Sequence, residues 1–249
     1  MLAINTMSSK IRVIVIALFS FMSLSGYAQI ADPSVYLSNV KQEMNTKWPK
    51  NRTVNWVFHG HSVPSGYAKT PLVNTIGAYP HLTLCNLKHF YPYAVVNVIV
   101  TAIGGEQSEQ GERRFKKEVL NLRPDVLFID YALNDRSIGL DRARKAWCSM
   151  IEQALKRKVK VILFTPTPDL GENILDDHTP LALHAAQIRE LAAKYHVGLV
   201  DSYSKFKQLK EEGKDLSGYM SQQNHPNAKG HEVVASLIQA WFIPESIRK

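Results

Sequence analysis

Four short stretches of this 249-residue chain carry side chains that could do chemistry, and their order along the chain matters as much as their content. The first, Val57-Phe58-His59-Gly60-His61-Ser62, brings a hydroxyl to the end of an apolar run, where a nucleophile would stand with its own N–H facing the same cavity. Serine there also serves as a helix cap or turn residue, so the stretch alone decides little. The second, Thr101-Ala102-Ile103-Gly104-Gly105-Glu106-Gln107-Ser108, has glycines that let backbone amides turn toward a ligand just before a helix N-terminus. The third, Tyr131-Ala132-Leu133-Asn134-Asp135-Arg136, offers the Asn134 amide as a donor, although Asn and Asp are also common turn formers. The fourth, Asn224-His225-Pro226-Asn227, sets an imidazole just before a closing helix that would begin at Pro226, a good perch for a general base. His231, further along that helix, reads as structural.

The elements that must hold these groups are legible from periodicity. Five strands are predicted at Thr53 to Phe58, Tyr93 to Val100, Asp125 to Tyr131, Val159 to Thr165 and Val197 to Asp201. Several are almost continuously apolar, as a parallel sheet covered on both faces requires. Between them lie amphipathic segments: Glu106 to Leu122, Arg142 to Lys156, Pro180 to Tyr195 and Asn227 to Phe242, with a further helix at Ser34 to Lys47. Alternating strand and helix predict a three-layer α/β/α sandwich with a doubly wound five-stranded parallel sheet. In such folds the working groups gather at the C-terminal ends of the strands, where the first three stretches fall, the fourth coming just before the closing helix. No internal repeat or Pro/Gly/Ser-rich linker divides the chain.

Composition narrows the class. A hydrophobic fraction of 45% with 21% charged residues excludes global disorder. Lys10 and Arg12, the apolar run Val13 to Met22, and then Ser23, Gly26, Tyr27 and Ala28 read as a secretory signal peptide over residues 1–28, leaving one domain over 29–249. The run is shorter than the roughly 20 apolar residues of a spanning helix, so no stable membrane anchor is expected and the protein is read as exported, periplasmic or secreted. The formal charge is +8, and removing the two leader cations leaves about +6. Lys and Arg alternate with acids rather than with aromatics, which argues for a solvated surface and against nucleic acid. Cys85 and Cys148 could pair or stay free, buried thiols. Gly104 and Gly105 match neither a dinucleotide fingerprint nor a P-loop, and the histidines lack the company of a catalytic zinc motif, so no cofactor and no metal is expected.

Gly-x-Ser, then Gly, then Asn-Asp, then His-Pro, each at a strand exit or before the closing helix, resembles the SGNH hydrolases of the GDSL lipase/acylhydrolase (esterase) superfamily over nearly the whole of residues 29–249. The resemblance implies the flavodoxin-like SGNH hydrolase fold, Ser62 as nucleophile and His225 as base. It also implies an oxyanion hole made by Ser62, Gly105 and Asn134, with Gly105 rather than Gly104 matching the family's second block. This chain departs from the pattern. His61 stands in the family's Gly-Asp-Ser, Ala132 opens its Gly-x-Asn-Asp, and Gln222 occupies the place of the triad Asp. An amide cannot offset an imidazolium, so either the site is a Ser-His dyad helped by a backbone carbonyl or another acid approaches. The implied activity is an exported serine esterase removing acetyl or another short acyl group from a carbohydrate, its partner a small-molecule or glycan ester. The other readings are a thioesterase or lysophospholipase-type acylhydrolase, and a non-catalytic glycan-binding member lacking the triad acid.

Overall fold

A computed structural model describes residues 29–244. The segment read as a signal peptide lies outside them. In chain order the elements are α1 (Ser38–Asn45), β1 (Thr53–Gly60), α2 (Ser62–Ser65), α3 (Tyr79–Leu87), β2 (Val95–Val100) and α4 (Ser108–Glu118). They continue with β3 (Val126–Asp130), α5 (Ala132–Asp135), α6 (Leu140–Lys156), β4 (Lys160–Phe164), α7 (Pro180–Tyr195) and β5 (Gly198–Val200). The chain closes through α8 (Ser202–Glu211), β6 (Met220–Gln222), β7 (His225–Pro226) and α9 (Ala228–Gln239).

The five strands β1 to β5 form one parallel sheet in the order β2-β1-β3-β4-β5. The three central strands are buried almost throughout, because successive side chains must go to opposite faces and both faces are covered. Trp56, Phe58, Phe128, Ile162 and Phe164 join the core built with α1, α3, α8 and α9. Their alternates Val57, Leu127, Ile129, Val161 and Leu163 meet Phe115, Trp147, Ile151, Ile188 and Leu191 from α4, α6 and α7. Strand β2 is the exception: its residues are exposed or half-buried, and Val95 is exposed, because β2 is an edge strand.

The three-layer sandwich and all five strands agree with the sequence reading, and α7 matches it end to end. Two differences concern the site. Pro226 does not open the closing helix. His225 and Pro226 pair with Met220 to Gln222 as a two-stranded hairpin, and the Asn227 side chain caps α9 through the amides of Lys229 and Gly230. An Asn cap satisfies amides that a Pro at that position would leave open to water. The other difference is α3, which the sequence reading left unassigned; it packs against α9 and places Tyr79 beneath the strand ends. Cys85 and Cys148 are both free, and Cys85 is exposed rather than buried. Among the described residues no helix is long and apolar enough to cross a membrane.

Candidate active site

Strand β1 runs between β2 and β3, so the chain leaving it at Gly60 is flanked by the chains leaving its two neighbours. Ser62 follows the centre strand, Gly105 follows β2 on one side, and Asn134 follows β3 on the other. Gly60 permits this crowding: a Cβ there would lie 2.3 Å from the Asp130 carbonyl oxygen. Ile103 N–H bonds the Gly60 carbonyl at 3.0 Å, which pins the glycine loop beside the nucleophile turn.

Ser62 is the first residue of α2 and His225 belongs to β7, 163 residues later; their side chains meet with Ser62 Oγ 2.9 Å from His225 Nε2. The other ring nitrogen, Nδ1, lies 3.0 Å from the Ala68 carbonyl oxygen. A carbonyl can only accept, so Nδ1 carries the hydrogen and Nε2 presents its lone pair to the Ser62 hydroxyl, the tautomer a general base needs. Ser62 is 6% and His225 7% exposed, which sets the pair on the floor of the site. Burial holds the His225 imidazole below its ordinary 6.5; the nearby His61 ring acts in the same direction and the Ala68 carbonyl opposes it.

Among the described residues no carboxylate hydrogen-bonds His225. Gln222, in the position of the resemblance's acid, turns instead to the loop after α2, where its Oε1 accepts the Thr70 N–H at 2.9 Å. Thr70 is two residues from Ala68, so this bond steadies the carbonyl on which His225 leans. The Ala68 N–H bonds the Leu72 carbonyl at 3.0 Å and completes the loop's ties. Of the two sources of support left open by the sequence, the structure has the backbone carbonyl.

Gly105 has φ +78°, in the left-handed region that favours glycine, and a Cβ there would meet nothing, so conformation and not space sets the residue type. The Asn134 amide donates to the Glu106 carbonyl at 2.9 Å, tying the third stretch to the second and leaving one amide hydrogen uncommitted. Asp135 reaches the same loop from below, accepting the Ser108 N–H and the Trp147 indole N–H, each at 2.7 Å. Burial raises its carboxyl to about 6. The N-terminus of α4 is not an open anion site: Gln107 caps the Glu109 and Gln110 amides, and Asp135 takes that of Ser108. Glu106 is fixed by Arg114 and by the Tyr131 hydroxyl, the latter at 2.7 Å. His231, buried in α9, accepts the Tyr79 N–H at 3.3 Å, a structural role as expected.

Sequence reasoning missed three contributors. A backbone carbonyl was among the supports the sequence left open, but no side-chain motif announces that it is Ala68's. Tyr67 lies against Gly104, with its ring 5.9 Å from that of His225, and lines a cleft of about 390 Å³ with Ser65, Val73 and Ile103. Arg136 holds Asp169 at 2.7 Å and also Glu172, and Asp169 accepts from Gln223 at 2.9 Å, so the loop after β4 is bolted to the His225 hairpin. Among the described residues no group of three or more His, Cys, Asp or Glu side chains is arranged to hold a metal ion.

A family model described as GDSL-like lipase/acylhydrolase matches residues 58–233. An acetylxylan esterase from Geobacillus stearothermophilus shares the fold with a TM-score of 0.66 at 18% identity, covering 76% of this chain and 94% of that one. A two-domain esterase active on acetylated mannans gives 0.68 at 21% identity, over 85% of this chain and 54% of that one. The uncharacterized lipoprotein YqeF of Bacillus subtilis (strain 168) is 30% identical over 86 residues, 31% of this chain. The matched part spans 35% of that curated relative's length. With the match running from the end of β1 into α9, through all four chemical stretches, the chain belongs to the GDSL-like lipase/acylhydrolase family, a family of carboxylic ester hydrolases.

Proposed function

We propose that the protein is a serine esterase that removes acetyl or another short acyl group from a carbohydrate. The observation that carries this reading is the 2.9 Å contact between Ser62 Oγ and His225 Nε2, with Nδ1 held by a carbonyl in the tautomer that leaves Nε2 bare.

In the first half-reaction His225 Nε2 takes the hydroxyl proton as Ser62 Oγ forms a bond to the ester carbonyl carbon. The resulting oxyanion is met by the N–H groups of Ser62 and Gly105 and by the free hydrogen of the Asn134 amide. The tetrahedral intermediate collapses, the C–O bond to the alcohol breaks, and His225 returns its proton to the leaving oxygen. Water then repeats the sequence on the acyl-serine, with His225 as its base, and releases the acid. The imidazolium formed at each half-reaction is supported by the Ala68 carbonyl dipole rather than by a carboxylate. A dipole is the weaker partner, which makes the oxyanion donors the larger share of the catalysis.

The carbohydrate part of the reading is supported by the relatives, which are described as acting on acetylated xylan and mannan. Labelling of intact protein by a serine-directed fluorophosphonate, lost in Ser62→Ala, tests the nucleophile without a known substrate. Acetylated xylan and mannan oligosaccharides, compared with long-chain acyl esters, acyl-CoAs and lysolipids, test the acyl group. A strong preference for long chains would reject the deacetylase reading, and saturable sugar binding with neither labelling nor hydrolysis would reject the enzyme. The reading includes export: mature protein recovered outside the cytoplasm begins at Gln29.

A further inference from the structure

Beneath the nucleophile lies a second imidazole that the reaction above does not use. His61 is 1% exposed, and its Nδ1 accepts the Val63 N–H at 3.2 Å while lying 3.5 Å from Ser62 Oγ. An amide N–H only donates, so Nδ1 is bare and Nε2 carries the ring hydrogen. Nε2 faces Asp130 Oδ1 at 3.3 Å, off the angle of a hydrogen bond, and among the described residues neither atom has another partner. Asp130 is itself 4% exposed, and its other oxygen accepts the Tyr79 hydroxyl at 2.9 Å. A buried carboxylate oxygen and a buried imidazole N–H are each costly alone; facing one another they offset that cost and fix the plane of the ring.

We propose that His61 and Asp130 form a positioning pair for the nucleophile: Asp130 orients the His61 ring, and the ring holds the Val63 amide so that the Ser62 hydroxyl turns to His225. The inference rests on the reading of Ser62 as nucleophile. Helix α2 has only four residues, too few to hold itself by its own hydrogen bonds, so its caps decide how it stands. At its far end the Ser65 hydroxyl shares its one hydrogen between the carbonyls of His61 and Ala102, at 3.0 and 2.9 Å. At its near end the Val63 amide has His61 Nδ1. The same bond engages the His61 lone pair at 3.2 Å, so the longer 3.5 Å approach to Ser62 Oγ competes weakly with His225 at 2.9 Å. Gly60 makes the arrangement possible, because the close approach of β1 to β3 brings Asp130 under the residue after it.

The test compares wild type with His61→Ala, His61→Asn, Asp130→Asn and the double variant His61→Ala/Asp130→Asn, using a short acyl ester and fluorophosphonate labelling. His61→Ala lowers kcat by about tenfold to a hundredfold with KM unchanged, the usual consequence of a misplaced nucleophile. Asp130→Asn loses less. The double variant loses no more than His61→Ala, since the pair acts as one unit. His61→Asn, whose amide oxygen can still cap Val63, recovers part of the rate. Wild-type kcat in folded His61→Ala, independent losses in the double variant, or no recovery in His61→Asn would overturn the proposal. Should His61→Ala not fold, a lowered kcat at unchanged KM in folded Asp130→Asn supports the proposal, and wild-type kcat in that variant overturns it. Nitrogen-15 NMR of the histidine rings reads the pair apart from catalysis: an Nε2–H tautomer at His61, perturbed by Asp130→Asn, supports it, and an Nδ1–H tautomer rejects it. Wild-type protein that takes up no label would reject the esterase reading while leaving this ring measurement to judge the pair.

Discussion

At the scale of single residues the site divides into groups that form bonds and groups that hold charge. Ser62→Ala removes the covalent route, and turnover of a short acyl ester falls to background. Asn134→Ala removes one of the three proposed oxyanion donors and lowers kcat by about 10² to 10³, or about 2.7 to 4 kcal/mol, by analogy with the loss of one such donor elsewhere. The variant also frees the Glu106 carbonyl, so a melting curve alongside the kinetics separates catalysis from packing. His225, as the proposed base, sets the expected pH dependence. Only its neutral form accepts the Ser62 proton, and burial lowers its pKa from the ordinary 6.5. The base therefore stays competent to lower pH than a free imidazole, and the acid limb of kcat/KM has its midpoint below 6.5. A midpoint above 7, measured by steady-state kinetics across pH 4 to 8, would reveal a carboxylate partner that raises the imidazole.

At the scale of elements the loop between α2 and α3 sets the Ala68 carbonyl where the proposed mechanism would otherwise need a side-chain acid, and Gln222 from β6 bonds that loop. Gln222→Ala frees the Thr70 amide, lets the Ala68 carbonyl drift from His225 Nδ1, and lowers kcat by about tenfold. Gln222→Glu keeps an acceptor oxygen for Thr70 and retains more of the rate, so the comparison of kcat in the two variants is the measurement. Equal rates in Gln222→Ala and wild type would remove the loop from the account. The hairpin β6–β7 matters here for a geometric reason: it fixes Gln222 and His225 in register, so one segment presents both the base and the brace for its partner.

At the scale of the whole molecule three buried imidazoles tie stability to pH. His59 is lowered to about 3, and His184 and His231 to about 4, in each case first by burial. A pKa below its unfolded value means that the unfolded chain binds more protons as pH falls. The stability these groups contribute is thus fully present above about 6.5 and is lost as pH drops toward 3 to 4. Asp135, raised to about 6, runs the other way between 6 and the ordinary 3.8, but it is one group against three. Thermal melts from pH 7 to pH 4 show a falling Tm, and His184→Asn, which removes one of these groups, flattens the fall. An unchanged slope would exclude His184 as a contributor.

The sequence alone determined the sheet, its sandwich and the side chains proposed to react. Apolar runs of β-branched residues separated by amphipathic segments leave few arrangements other than a covered parallel sheet, and that topology sends every β-to-α loop to one end. Ser62, Gly105 and Asn134 stand out as candidates because each is a distinct chemical type at such a loop, and His225 because it precedes the closing helix. Strand β2 shows the limit: its run of valines reads as core although it lies at the edge, since hydrophobicity does not report which strand has a neighbour. Tertiary structure decided everything that depends on a contact between distant backbone and side chain. It put the Ala68 carbonyl behind His225, sent Gln222 to Thr70, and set Asp130 under His61. A backbone carbonyl is the same in every residue, and a buried His–Asp pair is defined by a separation of 3.3 Å that no spacing along the chain encodes.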